Sequence, residues 1–338
     1  MICRPLLCLA MLVLTLPFVG VSATAGGNAL AERNETLCGQ IKEVHHLTDV
    51  QTARIRAVFK KSGFIGQGNP AITEHPMTPE QCSEKVRGLG VEYANPTFET
   101  ICAAPYMAPL YDPKTEKPEN ARVCIDQFEF PDVPCAYPVV WVKPIEAVEI
   151  CEAMGKRLCD AHEWEGACAG RLEPPDYDFD LGLGLPPGVA VERLRAAHNR
   201  KDGSSKTWSY GPSYRTGVCA TSSRKSPACD GGGWTKCGSN TFPDGAFPQC
   251  RSPLGVYDLN GNAAEHMNLP LREDQMASRG REYGVTEMKG SWFVFDAVRA
   301  HEDWCRWRAP FWHGTRVMDE HGHHNYHLGF RCCKSVAR

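Results

Sequence analysis

The chain has 338 residues, with 37 Lys and Arg against 40 Asp and Glu and a formal net charge of −3. Apolar residues make up 42% and charged residues 23%, a balance that supports a packed core and excludes long disorder. Near-neutral charge gives no electrostatic footprint for nucleic acid, so none is expected as a partner.

Taken in chain order, Arg4 precedes the apolar run LLCLAMLVLTLPFVGV, and the small residues SATAGG follow. This pattern describes a secretory signal over residues 1–25, with cleavage after Ala23 or Ala25. A membrane-spanning helix needs about 20 apolar residues. Pro17 and Gly20 interrupt this run, and no second run reaches that length. The expectation is a secreted or periplasmic protein with no membrane contact after cleavage.

Residues 26–122 read as an N-terminal helical segment and a Pro-rich linker. Residues 26–48 are polar and expected to be loosely ordered. Asp49 is placed to cap a helix to Lys61, with Ile55, Val58 and Phe59 as its buried stripe and Gly63 at its end. Thr78-Pro79-Glu80 supplies a cap, a first-turn proline and an acid for a short helix through Arg87. Residues 104–122, rich in proline and charge, read as a linker or an extended wrap between the N-terminal segment and the main domain. Asn34-Glu35-Thr36 is a glycosylation sequon, and His45-His46 reads as surface.

The main domain is expected over residues 123–338. CIDQFEF and YPVVWV are strand-like. Pro144 opens a helix with Ala147, Ile150, Cys151 and Met154 on one face, and Gly155 suits its exit. Asp160 caps a second short helix, DAHEWEGACAG. From 171 to 254 the chain is rich in Gly, Pro, Ser and Asp, and Cys219, Cys229, Cys237 and Cys250 lie in it. Cross-links are expected to replace regular structure there.

Of 17 cysteines, Cys3 and Cys8 fall in the signal, leaving fifteen. A secreted chain this rich in cysteine is expected to be disulfide-bonded, and an odd count leaves one thiol over. No C-x-x-C pair occurs, so a zinc knuckle has little support. Cys124 and Cys135 are a plausible local pair.

Four motifs occur in order: GKRLCDAHEWEGACAG (155–170), GVYDLNGNAAEHMN (255–268), MKGSWF (288–293) and HLGFRCC (327–333). Together they resemble the sulfatase-modifying-factor family, the fold of the formylglycine-generating enzymes. The resemblance implies an α+β fold with little regular secondary structure, related to C-type lectins and rich in disulfides. It implies a structural calcium ion held by the carboxylates of Asp258 and Glu265 and the carbonyls of Gly261 and Ala263. Calcium takes about 6–8 oxygens, and glycine lets a backbone turn tightly enough to aim carbonyls inward. The resemblance also implies the disulfides Cys151–Cys332 and Cys168–Cys305, and a groove that receives a protein or peptide.

The sequence departs from the family at its reactive centre. The family's enzymes hold copper(I) between two cysteines, as suits a soft ion. Here those positions fall on Val294 and about Arg299, and neither side chain has a lone pair to offer a metal. Lys289 stands for the first glycine of the family's GGSW, His266 for the tryptophan of its EW, and His327 for the asparagine before LGFR. Ser291, Trp304 and His327 are therefore the candidate reactive residues. Five histidines (His313, His321, His323, His324, His327) crowd one stretch, and imidazoles suit copper or iron. His323, His324 and His327 are the trial set, with an exposed polar loop as the alternative. Aromatics and arginines concentrate between Trp292 and Arg316, the composition of binding hot spots as well as of a core. Three functional readings follow: a divergent relative binding or oxidatively modifying a protein or peptide, a non-catalytic calcium-braced binding module, and a metal-dependent oxidase built on the histidine loop.

Overall fold

The computed structural model describes residues 23–280, 282–309 and 315–336, with side chains from residue 28 on. Most of the signal-like run lies outside these residues, as do Phe311, Trp312 and His313.

The segment expected to be loosely ordered is a helix, α1 (Ala23–Val44). Leu30, Leu37 and Ile41 recur at seven and eleven residues and are buried, and Leu37 and Ile41 share a core with Ile55, Val58 and Phe59 of α2 (Asp49–Ser62). Polar residues between them hid that stripe in the sequence. Thr48, one residue before the expected Asp49, caps α2: its Oγ1 accepts from the Gln51 amide, and Gly63 ends the helix in the left-handed region. Thr78 caps α3 (Pro79–Gly88) in the same reciprocal way, and Asn95 caps α4 (Pro96–Cys102). His45 is buried rather than on the surface, its Nε2 2.9 Å from the Pro131 carbonyl oxygen.

Residues 104–122 are not a linker. They contain β1 (Met107–Leu110), which pairs antiparallel with β2 (Val123–Asp126) at the edge of a four-stranded sheet. A four-residue edge strand tolerates Pro109, which is why the proline-rich composition misleads. CIDQFEF is strand only through Asp126, and YPVVWV makes an isolated bridge from Val140 to Gly66.

The expected helices follow as α5 (Pro144–Ala153) and α6 (Ala161–Ala169), with β3 (Arg157–Leu158) between them. The irregular stretch holds one helix that composition concealed, α7 (Pro187–Asp202), whose buried face includes Arg195 and His198. A second sheet consists of β4 (Ala264–Leu269) between antiparallel β5 (Val285–Lys289) and parallel β6 (Leu328–Phe330). After Arg331 the chain enters β7 (Cys332–Ser335) in the first sheet, between β2 and β3. Arg331 thus sits where one strand hands over to the other sheet.

Seven disulfides bind this body: Cys82–Cys135, Cys102–Cys124, Cys151–Cys332, Cys159–Cys333, Cys168–Cys305, Cys219–Cys250 and Cys229–Cys237. Cys124 and Cys135 are not joined to each other. Each ties instead to the preceding segment, through Cys102 and Cys82, so the N-terminal half is stitched onto the sheet. Among the described residues the one free cysteine is Cys38, buried in α1. The adjacent Cys332 and Cys333 pair in opposite directions, to α5 and to the end of β3, as side chains alternate along a strand. Closing 181 and 174 residues, these two links each stabilise by roughly 5 kcal/mol in the chain-entropy account. Seven cross-links fit an oxidising, non-cytoplasmic compartment. No helix among the described residues is long and apolar enough to cross a membrane.

Candidate functional site

Two centres matter, one beneath the 255–268 loop and one at the 291–304 segment. At the first, Gly261 has φ +98° and carries no side chain because a Cβ would meet the Ala220 carbonyl oxygen at 2.9 Å. The neighbouring Asn262 accepts from the Phe242 amide at 2.8 Å and donates to Glu129 at 2.6 Å, while the Ala263 amide donates to Glu129 at 2.7 Å. Asp258 accepts from the Gly245 amide at 2.6 Å.

Asp258 and Glu265 are both buried and interact electrostatically. Glu265, however, is already neutralised. Arg331 donates to its two oxygens at 2.7 Å each, and Trp164 Nε1 donates to one of them at 3.0 Å. It does not fit as the second carboxylate of a calcium site.

The unneutralised charge lies with two acids that the sequence reading missed. Glu129 and Asp244 are fully buried and interact electrostatically with each other and with Asp258. Both Asp244 oxygens lack a hydrogen-bond donor. Burial, and then the neighbouring acids, pushes Glu129 and Asp244 well above the usual carboxylate range. Burial likewise pushes Asp258 up to about 7. The set is all oxygen, with excess negative charge and an orphaned carboxylate, but among the described residues it is not one of the groups whose ligand atoms fall within 4.8 Å of one another, so it is not a pre-formed cation site. The sequence offered little local sign of this set, because Glu129 lies 129 residues before Asp258 and Asp244, 14 residues before it, falls outside the recognisable loop.

At the second centre, Gly290 (φ +73°) turns the chain out of β5 against the Leu259 carbonyl, and Ser291 follows. Ser291 Oγ lies 3.1 Å from Asp303 Oδ2, and Trp208 Nε1 donates to the other Asp303 oxygen at 2.7 Å. Asn260 holds the Asp303 carbonyl at 2.7 Å and accepts from the Ser209 amide at 3.0 Å. Burial pushes the Asp303 carboxyl up to about 6. Trp304 comes next, buried, with its indole N–H finding no partner among the described residues. His327 packs against Trp292 and Tyr326, with ring centroids 4.7 Å away in each case. The three candidates are thus neighbours at one remove: Ser291 meets the residue before Trp304, and His327 meets the residue after Ser291. Asp303 and Trp208 are the members the sequence reading missed.

Val294 is buried among Phe293, Phe295 and Trp292, so an apolar side chain fills one copper position. Arg299 is exposed, with its guanidinium 4.3 Å from the centre of the Tyr214 ring and 5.7 Å from that of Phe295. With every other described cysteine in a disulfide and Cys38 buried in α1, no thiolate pair is present for copper, and no step through that metal follows.

Among the described residues, two groups place three metal-capable atoms within 4.8 Å of one another: Cys159, Glu163 and Cys333, and Glu165, Asp176 and His198. Neither includes a histidine of the 321–327 loop. In the first group the sulfurs are bonded together and Glu163 is paired to Arg157 at 2.5 and 2.8 Å. In the second, burial raises the Glu165 carboxyl, but Arg308 and then Lys289 outweigh it and hold the group well below the usual range. Lys289 donates to Glu165 at 2.6 Å and Arg308 at 3.0 Å, so two cations already stand where a metal would. His324 joins an aromatic band instead, stacking on Phe64 at 5.9 Å and lying 6.0 Å from Trp141.

A family model, the sulfatase-modifying factor enzyme 1-like domain, matches residues 71–336. The match begins near α3, within the segment that Cys82 and Cys102 fasten to the sheet. No curated protein matches the chain. The crystal structure of CarF aligns at 14% identity over 68% of this chain and 96% of that one, with a TM-score of 0.31, too slight a likeness to carry an argument. The ordered motifs, the cross-linked body of low regular structure and the family match over residues 71–336 together place this chain in the sulfatase-modifying-factor family.

Proposed function

We propose that this chain is a secreted, peptide-binding member of its family that does not use copper–thiolate chemistry. The observation that carries this is the residue pair Val294 and Arg299: a buried valine and a ring-stacked guanidinium stand where the resemblance puts two thiolates. Around them the half-buried rings of Trp208 and Tyr214 lie 6.1 Å apart over the buried Phe295, and partly exposed aromatics of this kind are where binding energy concentrates. Glu129, Asp244 and Asp258 would hold a calcium ion by drawing together around it, since their oxygens are not among those that already converge, and the ion would supply charge balance and a cross-link beneath the loop. Glu265 keeps Arg331 instead.

The test is a copper(I) competition titration on purified protein, paired with capture of random-sequence peptides. The reading expects peptide capture and no tight copper(I) site. A tight one-to-one copper(I) site that withstands blocking of Cys38 would overturn it.

A further inference from the structure

Every acid of the 291–304 segment is already satisfied from within. Asp296 accepts from Tyr214 Oη at 2.7 Å and from Thr221 Oγ1 at 2.8 Å. Asp303 accepts from Trp208 and Ser291, and Glu302 pairs with Lys206 at 2.8 Å. The two guanidiniums on this face are not matched in this way. Arg299 is exposed, makes no salt bridge among the described residues although its charge reaches the Asp303 carboxyl, and lies over Tyr214 and Phe295. Arg215 is exposed, sits 5.2 Å from the Tyr210 ring centre and donates to the Tyr210 carbonyl at 3.0 Å, again with no acid partner. Both are braced by aromatic faces that leave N–H edges for a ligand. A planar guanidinium so held loses little freedom when it forms a forked pair with a carboxylate.

From this geometry we infer that this face selects an acidic peptide, with Arg299 and Arg215 receiving Asp or Glu side chains and the half-buried Tyr214 and Trp208 supporting its backbone. This rests on the peptide-binding reading above and narrows it. Local charge complementarity favours it: Arg299 and Arg215 are exposed with no salt bridge among the described residues, while the carboxylates of Asp296, Asp303 and Glu302 are held by donors of their own. A basic peptide meets repulsion there and finds no free acid to compensate.

The experiment is fluorescence anisotropy with three labelled peptides of equal length: Asp/Glu-rich, Lys-rich and uncharged, each bearing one aromatic residue. The acidic peptide is expected to bind about tenfold or more tightly than the other two, with affinity falling as salt rises. Arg299→Ala should weaken it about tenfold, Arg215→Ala less, and Arg299→Lys should restore only part, because an ammonium lacks the fork. Both arginines are exposed, and an unchanged thermal midpoint checks that each variant is folded. Equal binding of all three peptides, or acidic binding untouched by Arg299→Ala, overturns the inference while leaving peptide binding standing. Binding of none overturns both.

Discussion

Arg331 and Glu265 close on one another through two hydrogen bonds of 2.7 Å at the point where β6 passes into β7, with both side chains essentially out of contact with water. Arg331 also donates to the carbonyls of Asp126 and Tyr257 at 3.1 Å. One guanidinium therefore ties β2, the 255–268 loop and β4 together. Arg331→Met leaves Glu265 unpaired beside three further acids. A loss of about 3–5 kcal/mol is expected, measured by urea unfolding at neutral pH. A smaller loss for the double variant Arg331→Met/Glu265→Leu would show that most of the cost is the stranded charge.

The acid set of Glu129, Asp244 and Asp258 predicts a calcium response. After chelation and dialysis, calcium is expected to raise the thermal midpoint, and Asp244→Asn to abolish most of that rise. An unchanged response in Asp244→Asn would move the ion elsewhere.

Buried histidines set the acid limit of the fold. Burial, then nearby cations, pushes His45 down to about 3 and His75 down to about 4. Between those values and the unfolded value of about 6.5, the unfolded chain binds more protons, so stability falls as pH drops below about 6.5. Carrying both changes, His45→Gln/His75→Gln should show a flatter decline in unfolding free energy between pH 6 and pH 4.

Asp303 gives the opposite slope. Its raised value means that the folded state holds a proton that the unfolded state has released, so its contribution to stability falls as pH rises from about 4 through about 6. Asp303→Asn removes that slope, while retaining the acceptor oxygen that Trp208 uses. A pH series of unfolding midpoints for the two proteins reads it directly.

Asn34 is not available to a glycan. It is buried, and its Nδ2 donates to the Ile65 carbonyl at 2.9 Å, joining α1 to the turn after α2. Asn34→Ala should cost about 1–3 kcal/mol by leaving that carbonyl unmet. Intact mass from a glycosylating host should match the bare chain.

What could be read from the sequence was local. Thr78, Asp160 and Pro144 mark helix starts because caps and first-turn prolines act within four residues. Helices α1 and α7 escaped because Asn34, Arg195 and His198 lie on their buried faces, where pattern reading expects apolar residues. The buried acid set was half visible: Asp258 sits in a recognisable loop, whereas Asp244 stands 14 residues before it outside that loop and Glu129 arrives from a remote segment. Glu265 looked like a ligand because nothing in its own stretch shows Arg331, 66 residues away, taking both of its oxygens. Cys124 and Cys135 looked like partners by proximity, and the fold separates them by giving each an upstream cysteine.

The most direct measurement incubates the purified protein with a cysteine-containing peptide, copper(I), oxygen and a thiol reductant, then weighs the peptide by mass spectrometry. An unreacted thiol, with the peptide retained by the protein, is the predicted result. Conversion of that cysteine to the aldehyde would contradict the account, because Val294 and Arg299 supply no ligand through which it could arise.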